Sequence, residues 1–321
     1  MKEELLDKKA KYVSFKDNKL LSPLFGDNDC HLLKIEKQLN VAINSRGNVI
    51  FISGDPDDVT CAEKILESLY NKLEQGMEIT MNDVDAALRM ASDTKESKGS
   101  LFKEEIVIKT TKKHITPYSV TQKNYIKQLF KKDMVFASGP AGTGKTYLAV
   151  AVAVSMFLNH RVERIILVRP AVEAGEKIGF LPGDMKDKVD PYMQPLYDAL
   201  YDMLPADKVQ KYIENRVIEI APMAFMRGRT LKDAFVILDE AQNATPIQMK
   251  MFLTRLGENS KMAINGDLSQ IDLPGNIQSG LDDALNKLKT LDEIGYVHFG
   301  DDDIVRHSLV ARIVKAYKDN S

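Results

Sequence analysis

Short, almost continuous apolar runs recur along the C-terminal two-thirds of the chain, with helical spacing of apolar residues between them. The runs predict strands at 134–138, 164–168, 217–220, 234–238, 262–265 and 296–299. Strands that are apolar throughout are buried on both faces, as in parallel sheets covered by helices on both sides. Such sheets bind ligands beyond the carboxyl ends of their strands. The loops that follow these runs are therefore where we expect the chemistry.

The N-terminal part of the chain has a more mixed pattern. Residues 20–26 predict a strand, 41–54 a hairpin that turns at Arg46-Gly47-Asn48, and the intervening and following segments helices. The order β-α-β-β-α-α predicts a small α+β domain at 20–91, with helices on one face of a three-stranded sheet. We expect a charged lead-in at 1–19, a polar linker at 92–104 and a larger α/β domain at 105–321.

Composition narrows the functional classes. The chain is 44% apolar and 28% charged with a net charge of −2, and residues 1–91 carry 12 basic against 16 acidic groups. No global basic field marks a nucleic-acid partner, so any such contact uses local patches. The two cysteines fit buried thiols in a reducing compartment better than a disulfide framework. The longest apolar run, 147–158, is shorter than the roughly 20 residues that span a bilayer, and no signal peptide is visible. We expect a cytoplasmic protein without a membrane segment.

One stretch dominates the larger domain. Gly139-Pro-Ala-Gly-Thr-Gly-Lys-Thr146 lies between an apolar strand and an apolar helix, the context that confirms a G-x-x-x-x-G-K-[ST] phosphate loop. Lys145 is predicted to reach the β- and γ-phosphates of ATP, and Thr146 to hold Mg²⁺. The predicted nucleotide-binding residues of this stretch are Gly139, Pro140, Ala141, Gly142, Thr143, Gly144, Lys145, Thr146 and Tyr147.

Paired acids end the strand at 234–238. Asp239 is predicted to bind Mg²⁺ together with Thr146, and Glu240 to polarise the attacking water. The alternative, acids that only favour a helix N-terminus, loses weight because a phosphate loop lies upstream.

Two further loops carry polar candidates. Gln270 follows strand 262–265 and is predicted to sense the γ-phosphate, with Asp267 bracing the metal site or a neighbouring loop; an ordinary Gly-Asp turn is the alternative. Gln122 is predicted to bind the adenine edge with its amide, and Tyr118 to stack on the ring. For Gln122 the alternative is a surface residue at a helix start.

The site also calls for a cation on the γ-phosphate, supplied in cis or by a neighbouring subunit. Arg169 is one possibility, and the selected candidates are Arg255, Arg306 and Arg229, although each also fits a structural ion pair. The Gly- and Pro-rich segment 171–192 is predicted to contact a polymer or a neighbouring subunit. The five histidines show no zinc-site spacing, so we expect no metal other than Mg²⁺.

Beyond these single motifs, the chain resembles the PhoH family, the phosphate-starvation-inducible-type ATPases, from residue 105 to about 318. The resemblance rests on the segments GPAGTGKT, RPAVEAGEKIGFLPGD, DPYMQPLYDAL, FMRGRTL, ILDEAQNAT, LTRLG, NGDLSQIDLP and DDIVRHSLV. It implies a RecA-like P-loop core close to the first motor domain of superfamily 1 helicases, in which Gln122 corresponds to an adenine-reading glutamine. It also implies ATP-binding proteins of RNA metabolism, an endoribonuclease partner in ribosome maturation for some members, and oligomeric rings.

Residues 20–91 are similar to a KH-type module. The loop at 26–29, Gly-Asp-Asn-Asp, departs from the G-x-x-G phosphate clamp and carries two acids, which argues against direct binding of an RNA backbone there. A fused nuclease domain, present in some relatives, is absent from this sequence, so we expect no intrinsic nuclease activity.

Three functions compete at this point. The leading hypothesis is a Mg²⁺-dependent ATPase in RNA metabolism that works as a homo-oligomer, since only one set of ATPase motifs is present and a helicase needs two lobes. The alternative is an ATP-gated assembly or partner-docking module with slow hydrolysis. A small-molecule kinase is weaker, because no acceptor-site pattern is visible.

Overall fold

A computed structural model describes residues 10–96, 106–170 and 185–305, with side chains described outside 92–96 and 185–191. The chain divides into two compact units. The first contains residues up to 106 together with 117–120, and the second contains 107–116 and the chain from 121 onwards. Among the described helices, none combines the length and the apolar character needed to cross a membrane.

The first unit is a three-stranded antiparallel sheet with helices on one face. Strand β3 lies in the middle, between β1 and β2, and α3 packs against β1 and β3. The elements are β1 (Ala10–Ser14), α1 (Leu21–Phe25), α2 (Cys30–Leu39), β2 (Ala42–Arg46), β3 (Val49–Ser53), α3 (Pro56–Glu74) and α4 (Met81–Glu96). Its core is aliphatic and includes Leu24, Ile35, Ile50, Ile52, Ile65 and Leu66, which are fully buried. The hairpin and the helices after it are as predicted; the similarity to a KH module stays a prediction.

The strand predicted at 20–26 is wrong. Residues 21–25 form α1, and the first strand is β1, which lies in the stretch predicted as a lead-in. Pro23 sits in the first turn of α1, where a missing N–H has no helical partner to lose. Helix α4 continues to Glu96, past the predicted start of the linker at 92; residues 97–105 lie outside the described residues.

A buried ion pair joins α3 and α4. Lys72 Nζ lies 3.0 Å from Asp83 Oδ1, and both side chains are 10% exposed. The backbone N–H and the hydroxyl of Thr80 donate to the other carboxylate oxygen. Burial alone would raise the pKa of Asp83, but the Lys72 charge and the Thr80 hydrogen bonds outweigh it and hold that pKa below its ordinary value.

We expect Asp83→Asn to destabilise the first unit by about 3 kcal/mol at neutral pH, because Lys72 loses its carboxylate partner. The folded pKa of Asp83 is lowered, so its contribution is complete above the unfolded pKa of about 3.9 and is lost as the pH falls through the folded value. The difference between variant and wild type should therefore shrink in acid. Hydrogen exchange of α3 peptides, measured at neutral and acidic pH, reports on this unit.

The control is Asp85→Asn on the same helix. Asp85 pairs with Lys34 at 2.6 Å, but both side chains are about one-third exposed, so its loss should cost less than about 1 kcal/mol. Equal exchange in the two variants would contradict a special role for the buried pair.

The second unit is built on a six-stranded, wholly parallel sheet with the order β11-β6-β10-β9-β7-β8. Its strands are β6 (Met134–Ser138), β7 (Arg164–Arg169), β8 (Ile218–Pro222), β9 (Ala234–Leu238), β10 (Lys261–Gly266) and β11 (Ile294–His298). A short hairpin, β4 (Ile108–Lys109) with β5 (His114–Ile115), precedes the sheet. The helices are α5 (Val120–Lys131), α6 (Lys145–Leu158), α7 (Met185–Met203), α8 (Ala206–Glu214), α9 (Pro246–Leu253) and α10 (Gly280–Leu288).

The predicted α/β class and all six predicted strands are confirmed, with ends that differ by at most two residues. Strands β6 and β9 are buried along their whole length, as their unbroken apolar sequences predict. Strand β10 lies between them. Because all six strands run in one direction, the loops after β6, β7, β9 and β10 meet at one edge of the sheet.

Candidate nucleotide site

The phosphate loop connects β6 to α6 through glycines that no other residue could replace without strain. Gly139 has φ +143°, and a Cβ there would lie 2.3 Å from the carbonyl oxygen of Phe299. Gly142 and Gly144 also have positive φ, 83° and 81°, and Gly144 precedes the first residue of α6. The loop therefore curls tightly onto the N-terminus of a helix, the arrangement that binds phosphate groups.

Lys145 begins α6 and folds over this loop. Its Nζ donates to the carbonyl oxygens of Gly139 and Pro140 at 2.7 and 2.8 Å, and to the Thr143 hydroxyl at 3.2 Å. Burial lowers the pKa of Lys145, while the carboxylates of Asp267, Asp239 and Glu240 act in the opposite direction. The ammonium group thus lies among acceptors at the point where loop and helix meet.

Thr146 and Asp239 are in direct contact. The Thr146 hydroxyl donates to Asp239 Oδ1 at 2.5 Å, although 93 residues separate them in sequence. A hydroxyl and a carboxylate oxygen are hard ligands that suit Mg²⁺, which commonly takes one or two protein ligands plus substrate phosphates and water. No cluster of three or more His, Cys, Asp or Glu side chains able to hold a metal occurs in the described part of the chain. Thr146 and Asp239 are the residues that could hold a Mg²⁺ ion.

Glu240 follows Asp239 in a left-handed conformation, with φ +54°. This backbone is unusual for a residue other than glycine and marks functional positions when the surroundings hold it. Gln242 supplies that support, since its Nε2 donates to Glu240 Oε2 at 2.7 Å and to the carbonyl oxygen of Gln270 at 3.1 Å. The Glu240 side chain remains 43% exposed, so water can reach it.

The loop after β10 completes the site. Asp267 Oδ2 accepts from the phosphate-loop N–H of Ala141 at 3.1 Å and from Gln270 Nε2 at 2.7 Å. Ser269 donates to the other oxygen through its N–H and hydroxyl. Burial alone would raise the pKa of Asp267, but the Ser269 hydrogen bonds and the Lys145 charge keep it below its ordinary value. Gln270 therefore lies beside a carboxylate that touches the phosphate loop.

A cleft of about 900 Å³ at the carboxyl edge of the sheet is lined by Lys145, Thr146, Asp239, Glu240, Asp267 and Gln270. The opposite wall comes from α7 and the β4–β5 hairpin. Tyr147, next to Thr146, donates its hydroxyl to Asp202 of α7 at 2.7 Å, and Lys113 pairs with the same carboxylate at 2.5 Å. Lys112 and Arg169 also line this cleft. The sequence patterns did not predict that α7 forms this wall, because only the fold brings α7 opposite the phosphate loop.

Gln122 contacts the phosphate loop but does not line the cleft. It is 3% exposed, and its Nε2 donates to the carbonyl oxygen of Thr143 at 3.0 Å. Its contact with adenine stays a prediction. Tyr118 belongs to the first unit, and its stacking on the base likewise stays a prediction.

The candidate arginines lie in different surroundings. Arg229 makes a bidentate pair with Glu219 at 2.5 and 2.7 Å. Arg255 donates to the carbonyl oxygens of Met251 and Arg229, and neither arginine lines the cleft. Within the described part of the chain, Arg169 is the arginine that lines it. Arg306 and residues 171–184 of the predicted contact segment lie outside the described residues, and a role for Arg229 or Arg255 in a neighbouring subunit stays a prediction.

Comparison with solved structures gives only weak likenesses. The UvsW helicase from Bacteriophage T4 is 14% identical, with 73% of this chain and 76% of that chain covered and a TM-score of 0.35. The Hef helicase domain of Pyrococcus furiosus is 12% identical, with 56% of this chain and 37% of that chain covered and a TM-score of 0.35.

Sequence relatives are much closer. A PhoH-like protein of Bacillus subtilis (strain 168) is 52% identical over 295 residues, 92% of each chain. A PhoH-like protein of Mycobacterium tuberculosis (strain ATCC 25618 / H37Rv) is 46% identical over 93% of this chain and 85% of the relative. Protein PhoH of Escherichia coli (strain K12) is 42% identical over 74% of this chain and 64% of the relative. The family model for PhoH-like proteins matches residues 114–318. The chain belongs to the PhoH family.

Proposed function

We propose that this chain is a Mg²⁺-dependent ATPase that acts in RNA metabolism as a homo-oligomer. The observation that carries the ATPase part is the convergence of Lys145, Thr146, Asp239 and Glu240 on one cleft. These residues come from two loops, yet Thr146 and Asp239 share a hydrogen bond. Family membership and this geometry together support a nucleotide-binding ATPase.

Each residue has a role that its surroundings support. The phosphate-loop N–H groups and Lys145 bind the β- and γ-phosphates. Mg²⁺, when bound through Thr146 and Asp239, neutralises charge on those phosphates. Glu240 orients the attacking water and takes its proton, a role for which its exposure and its fixed hydrogen bond to Gln242 suit it.

Gln270 is the proposed γ-phosphate sensor. Its Nε2 hydrogen bond to Asp267 and the bond from Gln242 to its carbonyl oxygen connect it to both acidic loops. Two hydrogen bonds between Asn243 and Asp272 strengthen this connection. Asn243 Nδ2 donates to Asp272 Oδ2 at 3.2 Å, and the backbone N–H of Asp272 donates to Asn243 Oδ1 at 2.8 Å. A change at the γ-phosphate is thus expected to reach the whole loop after β10.

The proposal includes RNA as a partner, an endoribonuclease partner of ribosome maturation, and a ring of subunits. The resemblance of the motifs to the PhoH family supports these three points. The alternative is an ATP-gated assembly or docking module with slow hydrolysis. It is favoured by the presence of a single set of ATPase motifs in the sequence.

An ATPase assay with and without a panel of RNAs separates these functions, with Lys145→Ala as the blank. We expect hydrolysis above the blank and stimulation by at least one RNA class. Hydrolysis that no RNA changes, together with a mass that increases when ATP is added, would support the docking module instead. Hydrolysis no greater than the blank under every condition would contradict the ATPase.

A further inference from the structure

Arg169 lies beside the two acids of the cleft because of strand register. It is the last residue of β7, which pairs with β9 so that Val168 lies opposite Leu238. The next residue of each strand is therefore Arg169 and Asp239, side by side. Arg169 Nη2 and Nε donate to Asp239 Oδ2 at 2.8 and 3.2 Å, and Nη2 lies 3.4 Å from Glu240 Oε1.

The chemistry of Arg169 suits a phosphate. Among the described residues that line the cleft, the cations are Lys112, Lys145 and Arg169. Lys112 is exposed and its Nζ donates to the carbonyl oxygen of Tyr201, whereas Arg169 is 16% exposed. A guanidinium presents parallel N–H donors that match phosphate oxygens, and its charge persists when it is buried.

Arg169 also contacts the opposite wall of the cleft. Its Nη1 donates to the carbonyl oxygen of Tyr192 at 2.5 Å, and Tyr192 lies in α7. One side chain therefore connects the metal-binding carboxylate of Asp239 to the helix that faces the phosphate loop.

We propose that Arg169 is a second cation on the γ-phosphate, besides Lys145, and that it acts within its own subunit. Its exchange between Asp239 and the γ-phosphate couples the nucleotide to α7. The inference rests on the proposed ATPase function. A metal ion on Asp239 repels the guanidinium and a γ-phosphate attracts it, so both weaken the Arg169–Asp239 pair. ADP lacks the γ-phosphate, so Arg169 stays closer to Asp239 when ADP is bound. The contact of Arg169 with α7 therefore differs between the ATP and ADP complexes.

The test compares Arg169→Ala and Arg169→Lys with Arg164→Ala. Arg164 is on the same strand, and its Nη2 donates to the carbonyl oxygen of Lys232, away from the cleft. Fluorescent ATP and ADP analogues give the two affinities, steady-state assays give kcat, and hydrogen exchange of α7 peptides is measured with ADP and with a non-hydrolysable ATP analogue.

For Arg169→Ala we expect a loss in kcat of about 1000-fold, a loss of the preference for ATP over ADP, and α7 exchange that no longer differs between nucleotides. ADP affinity should stay near that of the wild type, which a general unfolding of the site would not allow. Arg169→Lys keeps the charge without the paired donors and should recover part of the ATP preference. Arg164→Ala should match the wild type in every measurement.

Wild-type kcat and nucleotide preference in both Arg169 variants would overturn the inference and leave the ATPase standing. Failure of the proposed function has a different signature: wild-type protein and the Lys145→Ala blank would then hydrolyse ATP equally.

Discussion

Lys145→Ala is expected to weaken ATP binding by about 100-fold or more and to bring hydrolysis to the background rate. The Lys145 ammonium is the buried cation of the phosphate loop, placed on the first residue of α6 where the helix dipole already favours anions. Alanine removes the charge and also three hydrogen bonds within the loop. Equilibrium binding of a fluorescent ATP analogue and a phosphate-release assay measure the two losses.

The matched control for this experiment is Lys112→Ala. Lys112 lines the same cleft but hydrogen-bonds to the carbonyl oxygen of Tyr201 rather than to the phosphate loop. We expect a change in ATP affinity of less than about tenfold, as for an exposed charge. Circular dichroism shows whether each variant keeps its fold. Undiminished ATP binding by folded Lys145→Ala would remove the phosphate loop from the mechanism.

Glu240→Gln is expected to separate binding from chemistry. Glutamine has the same shape and still accepts a hydrogen bond from Gln242, but it cannot take a proton from water. We therefore expect kcat to fall by about 1000-fold while ATP affinity is retained, because Lys145, Thr146 and Asp239 are unchanged. Single-turnover hydrolysis and equilibrium binding on the same preparation give the two values.

Glu219→Gln provides the comparison for this variant. Glu219 is also a half-buried acid near a strand end, but it pairs with Arg229 outside the cleft. Its replacement should leave kcat near the wild-type value. If Glu240→Gln hydrolysed ATP as fast as Glu219→Gln, another group would have to activate the water.

The parallel sheet was predictable because burial on both faces leaves a direct trace in the sequence. Each of β6, β7, β9 and β10 contains an unbroken apolar run, and polar residues begin where the run ends. The phosphate loop and the paired acids were predictable for another reason, because each is a motif of adjacent residues. Strand β1 was not, because its sequence, Ala-Lys-Tyr-Val-Ser, buries only one of five side chains and its neighbours are charged.

Local sequence patterns did not predict which arginine lies beside Asp239. Arg169 and Asp239 are 70 residues apart, and they become neighbours only because β7 lies next to β9 in the sheet. Strand order depends on the packing of helices on both faces, which no single segment encodes. Arg229 and Arg255 are also guanidinium groups, but they lie outside the cleft. Arg229 pairs with a carboxylate there, and Arg255 donates to backbone carbonyl oxygens.

The contact between Asp267 and the N–H of Ala141 has a consequence for selectivity. The Asp267 carboxylate, in the loop after β10, already accepts a hydrogen bond from one backbone N–H of the phosphate loop. An anion that binds this N–H must displace the Asp267 carboxylate, whose pKa the Ser269 hydrogen bonds and the Lys145 charge hold below its ordinary value against the effect of burial. A small anion that offers few contacts gains little from the exchange, whereas a triphosphate compensates through Lys145 and the remaining amides. In the proposed nucleotide site, we therefore expect Asp267 to favour a triphosphate over inorganic phosphate.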